Sequence, residues 1–300
     1  MEIDMATGAF VYQLSRNKDP DWKKQLSLFE KGAEIASADV DFLDSGRMMD
    51  KMMNLEMDYD WVYLFDLDPL LADGLSALGS FVFNDLIHIQ LQKDLASLYF
   101  RLESHHIPTP LFLISPDTGK MKQEEMRSFF LKHLRKRGFA KPIYARPRYG
   151  LPGQKGTWIA SELEFSHYLS LQGSEPFVLE EYTSGPYLLA YVVGNSVLGF
   201  AEMKEGGLLS RYRANPDLVG AALAAKEACD LPAATVYMRL SKGDVPYVYG
   251  VSAQIRPYAY QQLFGKNIAE DLFAVLKKEW SKNLPLAHFD EAEYFAKHAK

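Results

Sequence analysis

The chain has 300 residues, 48% of them hydrophobic, a single cysteine and a formal net charge of −6. That length supplies two or three compact lobes with a substantial core. The acidic balance argues against a nucleic-acid protein, which needs a basic face, and a lone Cys229 excludes a disulfide framework or thiolate zinc cluster.

The opening MEIDMATGAF has no basic segment followed by an apolar run, so no signal peptide is expected. No apolar stretch approaches the roughly 20 residues that span a bilayer. A soluble, cytoplasmic protein is the expectation.

Residues 9–14 (AFVYQL) predict an opening strand, and Trp22, Leu26, Phe29 and Ala33 mark a helix over 21–35. WVYLFDL at 61–67 predicts a strand closed by Asp68-Pro69. One long helix is expected from Leu86 to Glu103, stopped by the prolines of HHIPTP. A helix over 123–137 ends at Gly138, past its C-cap. Strands at 142–147 and 176–182 flank a glycine-containing loop and a helical stretch near 161–171. YLLAYVV and VLGFAEM form a hairpin about Gly194-Asn195. A helix over 217–229, strands at 235–240 and 246–252, and a helix over 267–281 complete an α/β pattern.

FNDLIHIQLQKDLASLYFRLESHHIPTP, KPIYARPRYGLPGQKGTW, FVLEEYTSGPYLLAYVVGNSVLGFAEMK and LFGKNIAEDLFAVL occur in an order that resembles the ATP-grasp ligases. The resemblance covers about residues 84–282 and is closest in style to the ligases that add glutamate to a ribosomal protein. It implies an α/β ATP-grasp fold of two α+β lobes behind a small α/β domain, divided as 1–84, 85–183 and 184–300. It implies ATP as the nucleotide, and a small acid and amine, or a partner protein, as the other ligands. Homo-oligomers are common in that family.

By the same resemblance Lys93 and Arg146 contact phosphates, and the loop of Gly150, Gly153, Lys155 and Gly156 covers them. The hinge Glu180, Glu181, Tyr182 and Thr183 reads adenine through its backbone. Arg213 and Asn215 match a polar pair near the transferred phosphate. The departures fall at the chemistry. The family's three metal-ligand positions correspond to Tyr237, Gly250 and Ser252, none of them a carboxylate, whereas magnesium wants hard oxygen ligands. Tyr187 and Leu189 stand where a ribose-holding acid and an arginine are usual, and Pro152 removes a loop N–H. Magnesium is expected only if Glu202, Asp244 or Glu181 act as shifted ligands. The expectation is a degenerate ATP-grasp protein that binds a nucleotide, anion or partner. The alternatives are a working carboxylate–amine ligase and a regulatory subunit of an intact enzyme.

Other features have plainer readings. His105-His106 and the basic run 132–137 suit helix C-termini. Asp66 and Asp68 suit strand-end caps, and the methionines at 48–57 an amphipathic segment with a partner surface as the alternative. Tyr247, Tyr249, Tyr258 and Tyr260 suit packing beside Tyr237, or filling of the former metal cavity.

Overall fold

The computed structural model describes residues 6–115, 122–139, 142–150, 156–172, 175–241 and 243–283. Its first segment alternates β1 (Thr7–Tyr12), α1 (Pro20–Ile35), β2 (Asp39–Asp44), α2 (Ser45–Met53), β3 (Trp61–Leu64), α3 (Pro69–Ala77) and β4 (Phe81–Phe83). The four strands make a parallel sheet in the order β2-β1-β3-β4. Side-chain caps start its helices: Asp19 accepts from the Asp21 N–H ahead of Pro20, and Asp68 from those of Leu70 and Leu71 around Pro69. A proline at the first helical position loses no needed N–H.

The second segment holds α4 (Leu86–Lys93), α5 (Leu95–Ser104), β5 (Phe112–Ile114), α6 (Gln123–Arg137), β6 (Ile143–Pro147), β7 (Thr157–Ile159), α7 (Glu162–Gln172) and β8 (Phe177–Glu181). Its antiparallel sheet runs β5-β8-β6-β7. The third holds β9 (Tyr187–Val193), β10 (Ser196–Met203), β11 (Leu209–Tyr212), α8 (Pro216–Ala228), β12 (Ala233–Leu240), β13 (Pro246–Ser252), α9 (Pro257–Phe264) and α10 (Ile268–Asn283). Its antiparallel sheet runs β11-β10-β9-β12-β13.

This large sheet is covered on both faces. Leu188, Ala190 and Val192 of β9 pack with Met238, α5 and α8, while Leu189, Tyr191 and Val193 pack with α1, α10 and the first sheet. That alternation along one strand is the period of two expected of a pleated sheet.

Three expectations are corrected. The helix foreseen over Leu86–Glu103 is broken at Asp94 (φ −109, ψ 101), which ends α4 and caps α5. The reason is a competing interaction: Asp94 accepts from Nε and Nη2 of Arg148, at 2.8 and 2.7 Å. The strand foreseen over 61–67 ends at Leu64. Of the two aspartates beyond it, Asp66 accepts the Gln13 N–H just past the end of β1 at 2.9 Å, as a strand-end cap, and is also held by Arg16 through two bonds of 2.5 Å, whereas Asp68 caps a helix instead. Among the described residues no helix is long and apolar enough to cross a membrane.

Candidate functional site

The break at Asp94 positions the first candidate group. With Arg148 clamped to Asp94, the Leu95 N–H donates to the Arg148 carbonyl and the Gly150 N–H to the Lys93 carbonyl, both at 2.9 Å. Lys93 thus lies against the start of the glycine loop. Partial burial pushes the Asp94 carboxyl up, but bonds from Arg148 and Ser97 win and hold it below its ordinary range. Gly150 and Gly156 flank that loop, and Gly153 and Lys155 lie outside the described residues. A Cβ on Gly156 would fall 2.3 Å from the Ala145 carbonyl oxygen, so only glycine passes under β6 there.

Arg146 and Glu180 come together, and they do so with each other. Arg146 is 6% exposed and Glu180 fully buried. Arg146 Nε donates to Glu180 Oε1 at 2.7 Å, and Nη2 donates to the Tyr99 hydroxyl and the Tyr249 carbonyl, each at 2.8 Å. Tyr99 in turn donates to Glu180 Oε1 at 2.6 Å, and Glu180 Oε2 has no hydrogen-bond partner among the described residues. Burial raises the Glu180 carboxyl, opposed by Arg146 and Tyr99. Burial weakens the Arg146 charge, but the facing carboxylate more than restores it, leaving the guanidinium's pKa raised.

A cavity of about 230 Å³ opens under the hinge, between the second and third sheets. Trp158 and Tyr182 form its aromatic mouth, edge to face at 4.9 Å and 47% and 40% exposed. Its floor is a side chain missed in the sequence. Arg239 of β12 lies 5.0 Å over the Tyr187 ring and donates to the carbonyls of Thr183, at 3.4 Å, and Gly185, at 3.1 Å. No acidic residue pairs with it among the described residues. The signal was available: Arg239 lies two residues beyond Tyr237, on the same face of the strand. Of the hinge residues, Glu181, Tyr182 and Thr183 line this cavity, and Arg146 reaches its edge. The Glu181 carbonyl also accepts a 3.4 Å bond from the Tyr249 hydroxyl, which donates to Thr183 Oγ1 at 2.7 Å.

Magnesium can be tested against the donors present. Tyr237 pairs with Gly250 and Thr235 with Ser252, as the sequence implies. Tyr237 stacks on Tyr187 with ring centroids 6.2 Å apart and packs in a cluster with Leu189, Tyr191 and Ala201. Of the shifted ligands, Glu202 pairs in register with Leu188, hence on the opposite sheet face from Tyr237, and binds Lys204 at 2.5 Å. Asp244 lies in an exposed turn at φ 57. Only Glu181 lines the cavity, and no three His, Cys, Asp or Glu side chains group together among the described residues. The residues present do not fit a magnesium ion held by the chain's own carboxylates.

The remaining candidates are dispersed. Asn215 caps α8 by accepting from the Leu218 N–H at 2.9 Å, and Arg213 is exposed; neither lines the hinge cavity. Tyr260 packs on Phe264, while Tyr258 lines a separate 340 Å³ cavity with Arg16, Gln254 and an exposed Arg256.

No known family model matches the chain, and no curated protein sequence does. Solved structures do. D-alanine–D-alanine ligase from Bacillus anthracis, complexed with ATP, superposes with a TM-score of 0.71 at 15% identity, covering 93% of this chain and 99% of that one. An ATP-grasp RimK domain protein from Sphaerobacter thermophilus gives 0.67 at 15%, covering 90% and 99%. An L-amino acid ligase from Bacillus licheniformis gives 0.64 at 16%, covering 92% and 74%. At such identities the agreement is one of architecture, and it meets the order of motifs in the sequence: the chain has the ATP-grasp fold.

Proposed function

We propose that this protein binds a ring-bearing anion, an adenine nucleotide being the first candidate, in the hinge cavity without magnesium, and does not turn it over. The observation that carries the reading is Arg239. It places a fixed guanidinium over the Tyr187–Tyr237 stack, on the face where the resemblance puts metal ligands. Arginine offers five donors in a planar fork suited to phosphate, and among the described residues only two backbone carbonyls use them. Trp158 and Tyr182 supply flat walls for a ring. The cavity is below the roughly 300–1,000 Å³ of common ligand sites, so it takes one end of a nucleotide, a ring or the nearest charged group, with the rest of the molecule outside it. Phosphoryl transfer relies on charge neutralisation around the phosphates. A side-chain cation on one wall supports binding far better than it supports transfer.

A second reading is a carboxylate–amine ligase. The 340 Å³ cavity favours it, since Arg256 there suits an acidic or amino-acid substrate.

Calorimetry with ADP and ATP, in EDTA and in magnesium, separates the two. The binding reading expects equal affinity in both buffers, a change in Trp158 fluorescence, and at least about tenfold weakening in Arg239→Met, the loss of one charge-assisted bond. Absence of nucleotide binding overturns it. Magnesium-dependent binding with phosphate release on addition of amino acids overturns it in favour of the ligase.

A further inference from the structure

Met53 and Leu55 stand at the C-terminal end of α2, each 77% exposed. The other methionines of that stretch turn inward. Met48 is fully buried, and Met49, Met52 and Met57 pack against the same core. Leu55 has φ 56, at the position past a helix C-cap where glycine is usual. Its N–H donates to the Met52 carbonyl at 3.2 Å and the Glu56 N–H to the Lys51 carbonyl at 2.9 Å, which closes the helix. A leucine there strains the backbone and leaves its own side chain in water, so the fold alone gives no reason for it.

Charge concentrates around this apolar end. Residues 39–60 hold seven acidic and two basic side chains, a net −5 against −6 for the whole chain. Contacts gather five of the acids on one face. Asp39 of β2 pairs in register with Thr7, whose N–H donates to Asp60 Oδ2 at 2.9 Å. The Tyr59 hydroxyl donates to Asp41 Oδ2 at 2.7 Å, and Lys51 Nζ lies 5.4 Å from the centre of the Tyr59 ring. Those two contacts tie β2 to the end of α2. Glu56 and Asp58 are exposed in the connection from α2 to β3.

The bases nearby are engaged elsewhere. Arg47 lies 3.7 Å from the buried Asp44, and Lys277 of α10 donates to the Ser37 carbonyl at 3.0 Å. Among the described residues no ion pair reaches Asp39, Glu56 or Asp58. Like charges held side by side repel, and a partner of opposite sign removes that cost. The same charge turns other occupants away. Nucleic acid and anionic membrane carry the wrong sign, and a second copy docked about a twofold axis would set this face against itself.

We propose that this face docks a basic polypeptide segment in which lysine or arginine is interspersed with aliphatic residues. The aliphatic side chains cover Met53 and Leu55, and the cations meet Asp39, Glu56 and Asp58. None of these residues lines the hinge cavity, so the two sites are independent.

The test is fluorescence anisotropy of short, end-blocked peptides with the full-length protein, at low and at physiological salt. The probes alternate lysine with leucine, lysine with serine, and glutamate with leucine. The lysine–leucine peptide should bind saturably and more weakly as salt rises, and the glutamate–leucine peptide should not bind. The lysine–serine peptide should bind at least about tenfold more weakly, as for loss of the apolar anchors of an interface. Two variants divide the contributions. Glu56→Gln with Asp58→Asn should weaken binding and flatten its salt dependence. Leu55→Gly should weaken binding about tenfold, yet melt no lower than wild type, because glycine adopts φ 56 freely. ADP binding should be the same in every protein. No saturable binding of the lysine–leucine peptide, equal binding of the lysine–serine peptide, or full binding by Leu55→Gly would overturn the proposal. So would a lower melting point of Leu55→Gly, which assigns Leu55 to the fold, or a wild-type dimer that this variant dissolves, which assigns the face to a second copy.

Discussion

Arg146 shows how far one residue can be read from its neighbours in sequence. Its place on a strand, followed by proline and a glycine loop, was legible. Its partners were not, because Tyr99, Glu180 and Tyr249 lie 47, 34 and 103 positions away. Three-dimensional proximity turned a phosphate candidate into the centre of a buried network. Arg146→Ala should cost about 3–5 kcal/mol in urea unfolding, because it strands the Glu180 charge in the interior. A double variant, Arg146→Met with Glu180→Leu, should recover much of that loss; an equal or larger loss would show that the pair itself stabilises.

The tyrosines make a second prediction at this scale. Burial pushes Tyr191 and Tyr249 up to about 12 from an ordinary value near 10. Between those values the unfolded chain has released protons that the folded chain retains. Stability therefore holds below about pH 10 and falls as the pH rises toward 12. Phenolate absorbance and far-UV circular dichroism should change together in that window. Titration near pH 10 with the circular dichroism intact would contradict the burial of these rings.

At the scale of elements, regular pieces were legible and interruptions were not. Gly138 closes α6 in the left-handed conformation, as its place in the sequence suggests. The β9–β10 hairpin also turns at Gly194-Asn195. By contrast, Asp94 breaks a helix whose apolar spacing runs straight through it, because the deciding partner, Arg148, is distant in sequence. A bulge on β13 is equally silent: the ladder passes from Tyr237–Gly250 to Met238–Val248, leaving Tyr249 unopposed. That extra residue turns its carbonyl to Arg146 and its hydroxyl to Thr183, a local use of irregularity common near sites. The hinge depends on close approach as well. A Cβ on Gly185 would fall 1.8 Å from the Leu240 carbonyl oxygen. Gly185→Ala should therefore lower stability by about 1–3 kcal/mol through overpacking. It should also weaken ADP binding by displacing Arg239, which donates to the Gly185 carbonyl. A variant with unchanged melting and unchanged binding would refute this role.

Across the whole molecule, the order of segments revealed the fold, but not how the first sheet joins the rest. Phe273 of α10 meets Phe10, Phe29 and Phe42 at 6.1, 6.4 and 6.0 Å, and the Tyr63 hydroxyl donates to the Ala253 carbonyl at 2.8 Å. Single-sequence periodicity marks these residues as inward-facing without saying which surface they meet. A shared core predicts one cooperative unfolding transition, with tryptophan fluorescence and circular dichroism superimposing. Phe273→Ala should shift both curves by about 3–5 kcal/mol while keeping them coincident. A separate early transition of the N-terminal segment would disprove the shared core.

The bond from Arg146 to the Tyr249 carbonyl also joins β6 of the second sheet to β13 of the third, and the Val248 N–H reinforces it by donating to the Pro108 carbonyl at 2.9 Å. Two lobes joined at that point resist opening like jaws around a guest by the strength of those two bonds. Among the described residues, traffic through the hinge cavity then passes Trp158 and Tyr182, whose swing is a matter of nanoseconds for exposed rings. Stopped-flow mixing should accordingly show a single association phase whose rate rises linearly with ligand, with no slow isomerisation behind it.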